Sequence, residues 1–221
     1  MHSYIQSDPG EPTRWKDALF GPEREYWIQS TTAEFNNFIS RNAWKFVDRQ
    51  EVYDKKRKLI PTKLVFKKKD EIDGSIRFKT RDVTLGYMMI PGVDYTERFS
   101  PVATDASLRI QICLTLAYYK KGWRTMSCDI KAAFLEAGMN TEMYIEPHPA
   151  MVVCGFMTED QRQSTAIQLM KSMYGNVDAA IKFFKTLTAH ITDKNGMNMQ
   201  QSQADPCVFY KFDKNDNLIS Y

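Results

Sequence analysis

The stretch Leu59-Ile60-Pro61-Thr62-Lys63-Leu64-Val65-Phe66-Lys67-Lys68-Lys69-Asp70-Glu71-Ile72-Asp73-Gly74-Ser75-Ile76-Arg77-Phe78-Lys79-Thr80-Arg81-Asp82-Val83 decides how the fold is read. An apolar-rich run, with Pro61 near its start, leads into Asp73-Gly74, and residues 76–83 then alternate apolar and polar side chains. Asp-Gly between two such runs predicts a two-stranded β-hairpin over about 59–84. Lys67, Lys68 and Lys69 stand at one edge of it, and Arg77 and Arg81 on the returning strand. The wider segment 41–81 holds 14 basic residues against six acidic ones, a local excess of eight, while the whole chain carries only +3. The remainder is therefore net negative by five, and so polarised a chain points one lobe at a polyanion.

Upstream of the hairpin, residues 1–20 are rich in Pro, Gly and charge and are expected to form a loose arm. Pro22, Glu23 and Glu25 open a helical pattern in which Tyr26, Trp27, Thr31, Phe35, Phe38 and Ile39 share one face. Trp44, Phe46 and Val47 follow as a short apolar cluster. Downstream, residues 91–95 read as a loop, and Ser107 as the N-cap of a helix over 108–119 that ends near Gly122. Residues 123–130 read as a strand with Asp129 near its C-terminal end, followed by a helical turn at 132–135. A short strand at 142–145, a loop at 151–165, strand or turn at 166–173, a helix at 179–191 and strands at 207–212 and from 218 complete the chain, with a turn at 213–217. Nothing repeats internally. Hairpins mixed with helices make the fold class α+β.

Composition narrows the function. With 43% hydrophobic and 13% aromatic residues in 221, the chain can bury a core. Its longest apolar stretches, such as 110–119, fall short of the roughly 20 residues that a membrane helix needs. Residues 1–9 lack the basic start and apolar run of a signal peptide, so the protein is expected inside the cell. Cys113, Cys128, Cys154 and Cys207 have no close pairs, and His2, His148 and His190 sit near none of them. Zinc ligands would be more tightly spaced, and buried free thiols are the expectation.

A series of blocks gives the order of the chain a meaning. It opens with Trp27, Ala33, Glu34, Asn42, Trp44 and Val47, then Val65-Phe66-Lys67, Asp73-Gly74, Arg77, Lys79 and Arg81. Gly86-Tyr87, Gly92-x-Asp94-Tyr95, Phe99-Ser100-Pro101-Val102 and Ser107-x-Arg109 come next. Asp129-Ile130-Lys131-x-Ala133-Phe134-Leu135, Tyr144-x-Glu146, Lys171-Ser172-x-Tyr174-Gly175 and Asp205-Pro206-Cys207-Val208 close the series. In this order they resemble the N-terminal part of a copia-type retrotransposon reverse transcriptase. The resemblance implies a right-hand polymerase fold with fingers and an incomplete palm, the thumb absent. The loose arm would be 1–24, the fingers 25–98, the start of the palm 99–140, a return to the fingers 141–178, and the continued palm 179–221.

The chemistry implied by the resemblance is RNA- or DNA-templated nucleotidyl transfer, in which a primer 3′-hydroxyl attacks the α-phosphorus of an incoming nucleotide and two Mg²⁺ ions stabilise the oxygens. Asp129 matches the family's first palm carboxylate, and the Ile130 carbonyl would serve the second metal. Phe134 stands where the family places a ring beneath the nucleotide sugar, excluding a 2′-hydroxyl. Lys69 and Arg81 match the residues that clamp the triphosphate, Arg with a bidentate fork. Lys171, Tyr174 and Gly175 lie where the chain returns beside the nucleotide. The implied partners are template-primer and dNTP, with integrase and ribonuclease H as the remaining polyprotein domains. The implied location is a cytoplasmic virus-like particle, or the nucleus, and no membrane.

The departures from the family pattern matter as much. Its second catalytic block is an aromatic-x-Asp-Asp turn, and no Asp-Asp pair occurs in these 221 residues. The chain is therefore expected to stop short of that block and to be inactive by itself. After Tyr174-Gly175 the family reads Leu-Lys-Gln-Ala-Pro-Arg, whereas this chain reads Asn176-Val177-Asp178-Ala179-Ala180-Ile181. Asp178 is expected to repel phosphate, Asp82 to set an acid beside the triphosphate clamp, and Met89 replaces a usual Gln. The alternatives are a divergent active polymerase cut short by gene prediction, and a domesticated nucleic-acid-binding module without catalysis.

Overall fold

A computed structural model describes residues 10–215 and 217–220; residues 1–9 of the expected arm, Asp216 in the last turn and Tyr221 lie outside the described residues. The body is built on helix α2 (Arg24–Ser40), whose buried Trp27, Thr31, Phe35 and Phe38 recur every three or four positions and so form one stripe. Phe38 stacks on Trp44 with ring centroids 4.4 Å apart, and Trp27 meets Phe66 and Phe78 edge-on at 5.1 and 4.7 Å. Trp44 opens β1 (Trp44–Asp48), and Asp48 then caps α3 (Arg49–Asp54) by accepting the Gln50 N–H. The short α1 (Trp15–Phe20) falls inside the stretch expected to be loose. Its Ala18 and Leu19 are fully buried and its Trp15 ring lies edge-on to His148, so apolar side chains order it.

Pro61 has no N–H for a ladder and divides the first hairpin run into β2 (Leu59–Ile60) and β3 (Thr62–Asp70). β2 joins β5 (Tyr144–Ile145) in parallel, β5 and β1 each pair antiparallel with β6 (Thr165–Leu169), and the sheet order is β1-β6-β5-β2. The stretch expected as loop at 151–165 holds two short helices, α5 (Ala150–Val153) and α6 (Glu159–Ser164). Thr158 and Gln161 form a reciprocal cap on α6, a Thr-x-x-Gln signal that the residue spacing carries.

β3 pairs antiparallel with β4 (Ile76–Thr84) from Thr62↔Thr84 to Asp70↔Ile76, as the Asp-Gly turn predicts. The register sorts the side chains by parity. Even-numbered Leu64, Phe66, Phe78, Thr80, Asp82 and Thr84 turn toward α2, where Thr31 and Thr80 share a buried hydroxyl contact at 3.2 Å. Odd-numbered Lys63, Lys67, Lys69, Arg77, Lys79 and Arg81 occupy the other face.

Beyond the hairpin, α4 (Asp105–Ala117) is capped by Thr104, whose hydroxyl accepts the Ser107 N–H. Ser107 therefore lies in the helix rather than before it. Leu108, Ile110, Ile112 and Leu116 are exposed along α4. Residues 123–130 form no strand. A lone strand would leave its N–H and C=O groups unpaired, and the strands that follow the long helix α7 (Ala179–Thr192) pair among themselves instead. These are β7 (Gln200–Gln201), β8 (Phe209–Phe212) and β9 (Leu218–Ser220), in that order. Cys113 on α4 and Cys128 in the irregular stretch are exposed, against the expectation of burial, because little packs on either segment; Cys154 and Cys207 are partly buried. Among the described residues no helix is long and apolar enough to cross a membrane.

Candidate functional site

The base of the hairpin and the turn after Met173 are locked together by backbone. The Thr84 N–H donates to the Tyr174 carbonyl at 2.8 Å. Gly175 sits at φ +87°, and a Cβ there would lie 2.1 Å from the Thr84 oxygen. A Cβ on Gly86 would lie 2.1 Å from the Gly175 oxygen, so two glycines let the chains touch. This docking sets Tyr174 against the odd face of β4. The Arg81 guanidinium carbon stands 4.9 Å from the Tyr174 ring centroid. Phe134, on the 3₁₀ turn Ala133–Glu136, meets the same ring at 5.3 Å and 71°. Phe183 of α7 lies behind Phe134, its centroid 6.5 Å away.

Four of the expected site residues, Arg81, Phe134, Tyr174 and Gly175, are thus brought together. The Arg81 Nε–H is buried and has no partner among the described residues. A buried donor of that kind on a cation is costly to leave unmade, and an anion would satisfy it. The surrounding face is positive. The Lys79 ammonium is held below the usual lysine range, first by burial and then by Arg81, Lys69 and Arg77. Lys69 is not part of the group. It pairs with Arg77 near the exposed tip, four residues and about 13 Å along the strand from the Val65–Arg81 pair. Lys171 is half-buried and bridges Gly138 through its backbone.

Asp129 is exposed in the irregular stretch, and Ile130 is 42% exposed beside it. Among the described residues no three His, Cys, Asp or Glu side chains are grouped to hold a metal ion. One solvated carboxylate and a backbone carbonyl do not hold Mg²⁺ against water. The donor set present does not fit the ion that the resemblance implies.

The acids expected to spoil the site are placed differently. Asp82 is 1% exposed and even-numbered, so it faces α2 rather than the Arg81 side. Glu34 accepts its backbone N–H at 3.4 Å, and burial pushes the Asp82 carboxyl up to about 7. Asp178 is buried and paired with the Lys182 ammonium at 2.7 Å, one helical turn on, so its charge is compensated. Lys182 also donates to Met139 Sδ at 3.4 Å. The i,i+4 spacing of Asp178 and Lys182 was the available signal. Met89 is buried, and its sulfur accepts the Val177 N–H at 3.4 Å.

Asp205, from the Asp-Pro-Cys-Val block, has a structural task. Its carboxylate accepts from Ser107 Oγ at 2.6 Å and from the Thr104 and Cys207 N–H groups at 2.9 Å each. These bonds, led by that from Ser107, hold its carboxyl down to about 2. They tie the start of α4 to the turn that precedes the last two strands.

Known proteins resemble this chain over most of its length. The family described as reverse transcriptase (RNA-dependent DNA polymerase) matches residues 41–220. The chain is 27% identical over 214 residues to the retrovirus-related Pol polyprotein from transposon TNT 1-94 of Nicotiana tabacum, covering 96% of this chain and 15% of that protein. It is 30% identical over 161 residues to the Pol polyprotein from transposon RE1 of Arabidopsis thaliana, covering 72% of this chain and 10% of that one. The truncated transposon Ty1-A Gag-Pol polyprotein of Saccharomyces cerevisiae is 27% identical over 190 residues, 85% of this chain and 14% of its own length. The chain therefore spans at most 15% of these relatives. No solved structure matches it.

Proposed function

The chain belongs to the copia-like reverse transcriptase family, a fragment by the measure of its relatives, and on that premise we propose that it builds the nucleotide-facing half of a polymerase site. The observation that carries the reading is the contiguous set Arg81, Tyr174 and Phe134 on a basic face. In this reading the fingers are 25–98, the palm begins at 99–140, the chain returns through 141–178, and the palm resumes at 179–221. Arg81 takes the triphosphate, while Lys69, about 13 Å along the strand from it, adds positive charge toward the tip rather than a second clamp. Phe134 lies under the sugar, and Tyr174 holds both side chains in place while Gly175 lets the backbone approach the base of the hairpin. Asp129, with the Ile130 carbonyl, is the carboxylate offered to the reaction. It needs further carboxylates that are not grouped with it among the described residues. The chain by itself therefore binds and does not polymerise. Its partners are template-primer, dNTP and the other Pol domains, within a cytoplasmic particle or in the nucleus.

Titration with dTTP and with thymidine tests the binding. The triphosphate is expected to bind, the nucleoside not, and Arg81→Gln to weaken dTTP by about tenfold, the size of one charge-assisted contact. Equal binding of both ligands would sink the reading. Primer extension on poly-rA/oligo-dT tests the second half. Neither the chain nor Asp129→Asn should incorporate, and incorporation lost in Asp129→Asn would show that the site is complete after all. Salt-sensitive template-primer binding with no dTTP affinity would favour a non-catalytic nucleic-acid-binding module, which the basic face also suits.

A further inference from the structure

An acid from outside the hairpin reaches its basic face. Glu11, four residues before α1, lies along the free edge of β3. Its Oε2 accepts from the Lys67 ammonium at 2.6 Å and its Oε1 from the Lys68 backbone N–H at 2.9 Å. The Glu11 side chain is only 6% exposed, although residues 10–14 have no regular structure. A cleft of about 320 Å³, lined by Glu11, Pro12 and Thr13 on one side and β3 on the other, runs along this edge. Burial raises the Glu11 carboxyl, but the two hydrogen bonds and both lysine charges outweigh it, so it titrates below the ordinary glutamate range.

One ammonium plus one backbone N–H at a strand edge is a donor set that suits a phosphate group as well as a carboxylate. Lys67 shares its face with Lys63, Lys69, Lys79 and Arg81, none of which has an ion-pair partner among the described residues. Arg77 is held by Glu71 from the turn. Glu11 is thus the one acid from outside the hairpin that is ion-paired on this face among the described residues.

We propose that Glu11 is an intramolecular stand-in for phosphate, which occupies Lys67 while the basic face is empty and must leave when a nucleic-acid backbone is laid across it. The segment around Glu11 thereby tempers the affinity of the hairpin for polyanions. The inference rests on the nucleic-acid reading of this face. The fold supplies its own control: Glu23 pairs with Lys68 Nζ at 2.7 Å, but Lys68 is even-numbered and its side chain lies on the α2 side.

The test is fluorescence anisotropy of the full chain with poly-rA annealed to labelled oligo-dT, from about 50 to 300 mM NaCl. Glu11→Gln keeps the shape and an acceptor for the Lys68 N–H while losing the charge. It is expected to bind about three- to tenfold tighter, with a log–log salt slope steeper by about 0.9 for one phosphate regained. Glu23→Gln, which changes net charge equally, should move neither quantity. In a Lys67→Gln background the Glu11→Gln gain should vanish. Equal effects of Glu11→Gln and Glu23→Gln, or a gain that survives Lys67→Gln, overturn the proposal. Absence of binding by the unaltered chain at the lowest salt overturns the nucleic-acid reading and this inference with it.

Discussion

Arg81 and Tyr174 are 93 residues apart, yet the guanidinium of one lies 4.9 Å from the ring centre of the other. A cation over an aromatic face at a partly exposed position is worth about 0.5–1 kcal/mol. Its larger effect is on aim, since it leaves Arg81 with one orientation toward the odd face. Tyr174→Leu should therefore keep the fold and the charge but weaken dTTP binding, by about three- to fivefold if that interaction is lost. Arg81→Lys should resemble it, because an ammonium lacks the planar fork. Unchanged dTTP affinity in both variants would show that the stacking is incidental.

Gly175→Ala should be far more damaging than its size suggests. The backbone there is left-handed at φ +87°, and the new methyl would meet the Thr84 oxygen at 2.1 Å. A substitution incompatible with both backbone and space costs more than about 1 kcal/mol, and roughly 3 kcal/mol is reasonable where strain and a clash combine. Urea denaturation followed by tryptophan fluorescence measures it. A midpoint equal to that of the unaltered chain would mean that the return turn is not docked as described.

Asp205 makes α4 sensitive to acid. Its folded carboxyl titrates at about 2, below the ordinary 3.8 of an unfolded chain, so its bonds stabilise fully above pH 3.8 and fade as pH falls toward 2. The prediction is local: amide exchange in the first turn of α4 should quicken over that window while α2 stays protected. Asp205→Ala should show the fast exchange already at pH 6. Uniform exchange along both helices would contradict the clamp.

Asp82 works in the opposite sense. Buried against α2, with Thr62 and Glu34 as its polar neighbours, it keeps its proton in the folded chain to about pH 7, while the unfolded chain releases it near 3.8. Stability is therefore lost as pH rises between those values. Asp82→Asn should be nearly neutral at pH 4 and stabilising at pH 8, so the difference in melting temperature should grow with pH. A difference that shrinks would place Asp82 in a charge-stabilised setting instead.

Several of these relations could be read from residue order, and the reason differs case by case. The hairpin was legible because Asp73-Gly74 carries its own turn chemistry, and α2 because Trp27, Phe35 and Phe38 repeat with the helical period. The opposite faces of Arg81 and Asp82 were latent in strand alternation, but proximity along the chain suggested proximity in space. The strand expected at 123–130 was illegible for a deeper reason. A strand exists only with a neighbour to bond, and no local residue pattern announces where the neighbour is. The same holds for Asp205, two of whose three donors, Thr104 and Ser107, lie 101 and 98 residues before it, and for Glu11, which lies 56 residues from Lys67.

The parity of the β3–β4 ladder sets an error tolerance for this stretch of gene. Losing one codon anywhere in 76–80 would slide Arg81 onto the side where Trp27 is buried and turn Asp82 outward. Losing two would restore the alternation at the cost of one step of length. Codons for 71–75 lie outside the ladder and could be gained or lost while both faces persist. A lineage of such copies drifting without selection should accumulate single-codon losses in strand and turn alike, whereas one whose basic face is still in use should confine them to the turn.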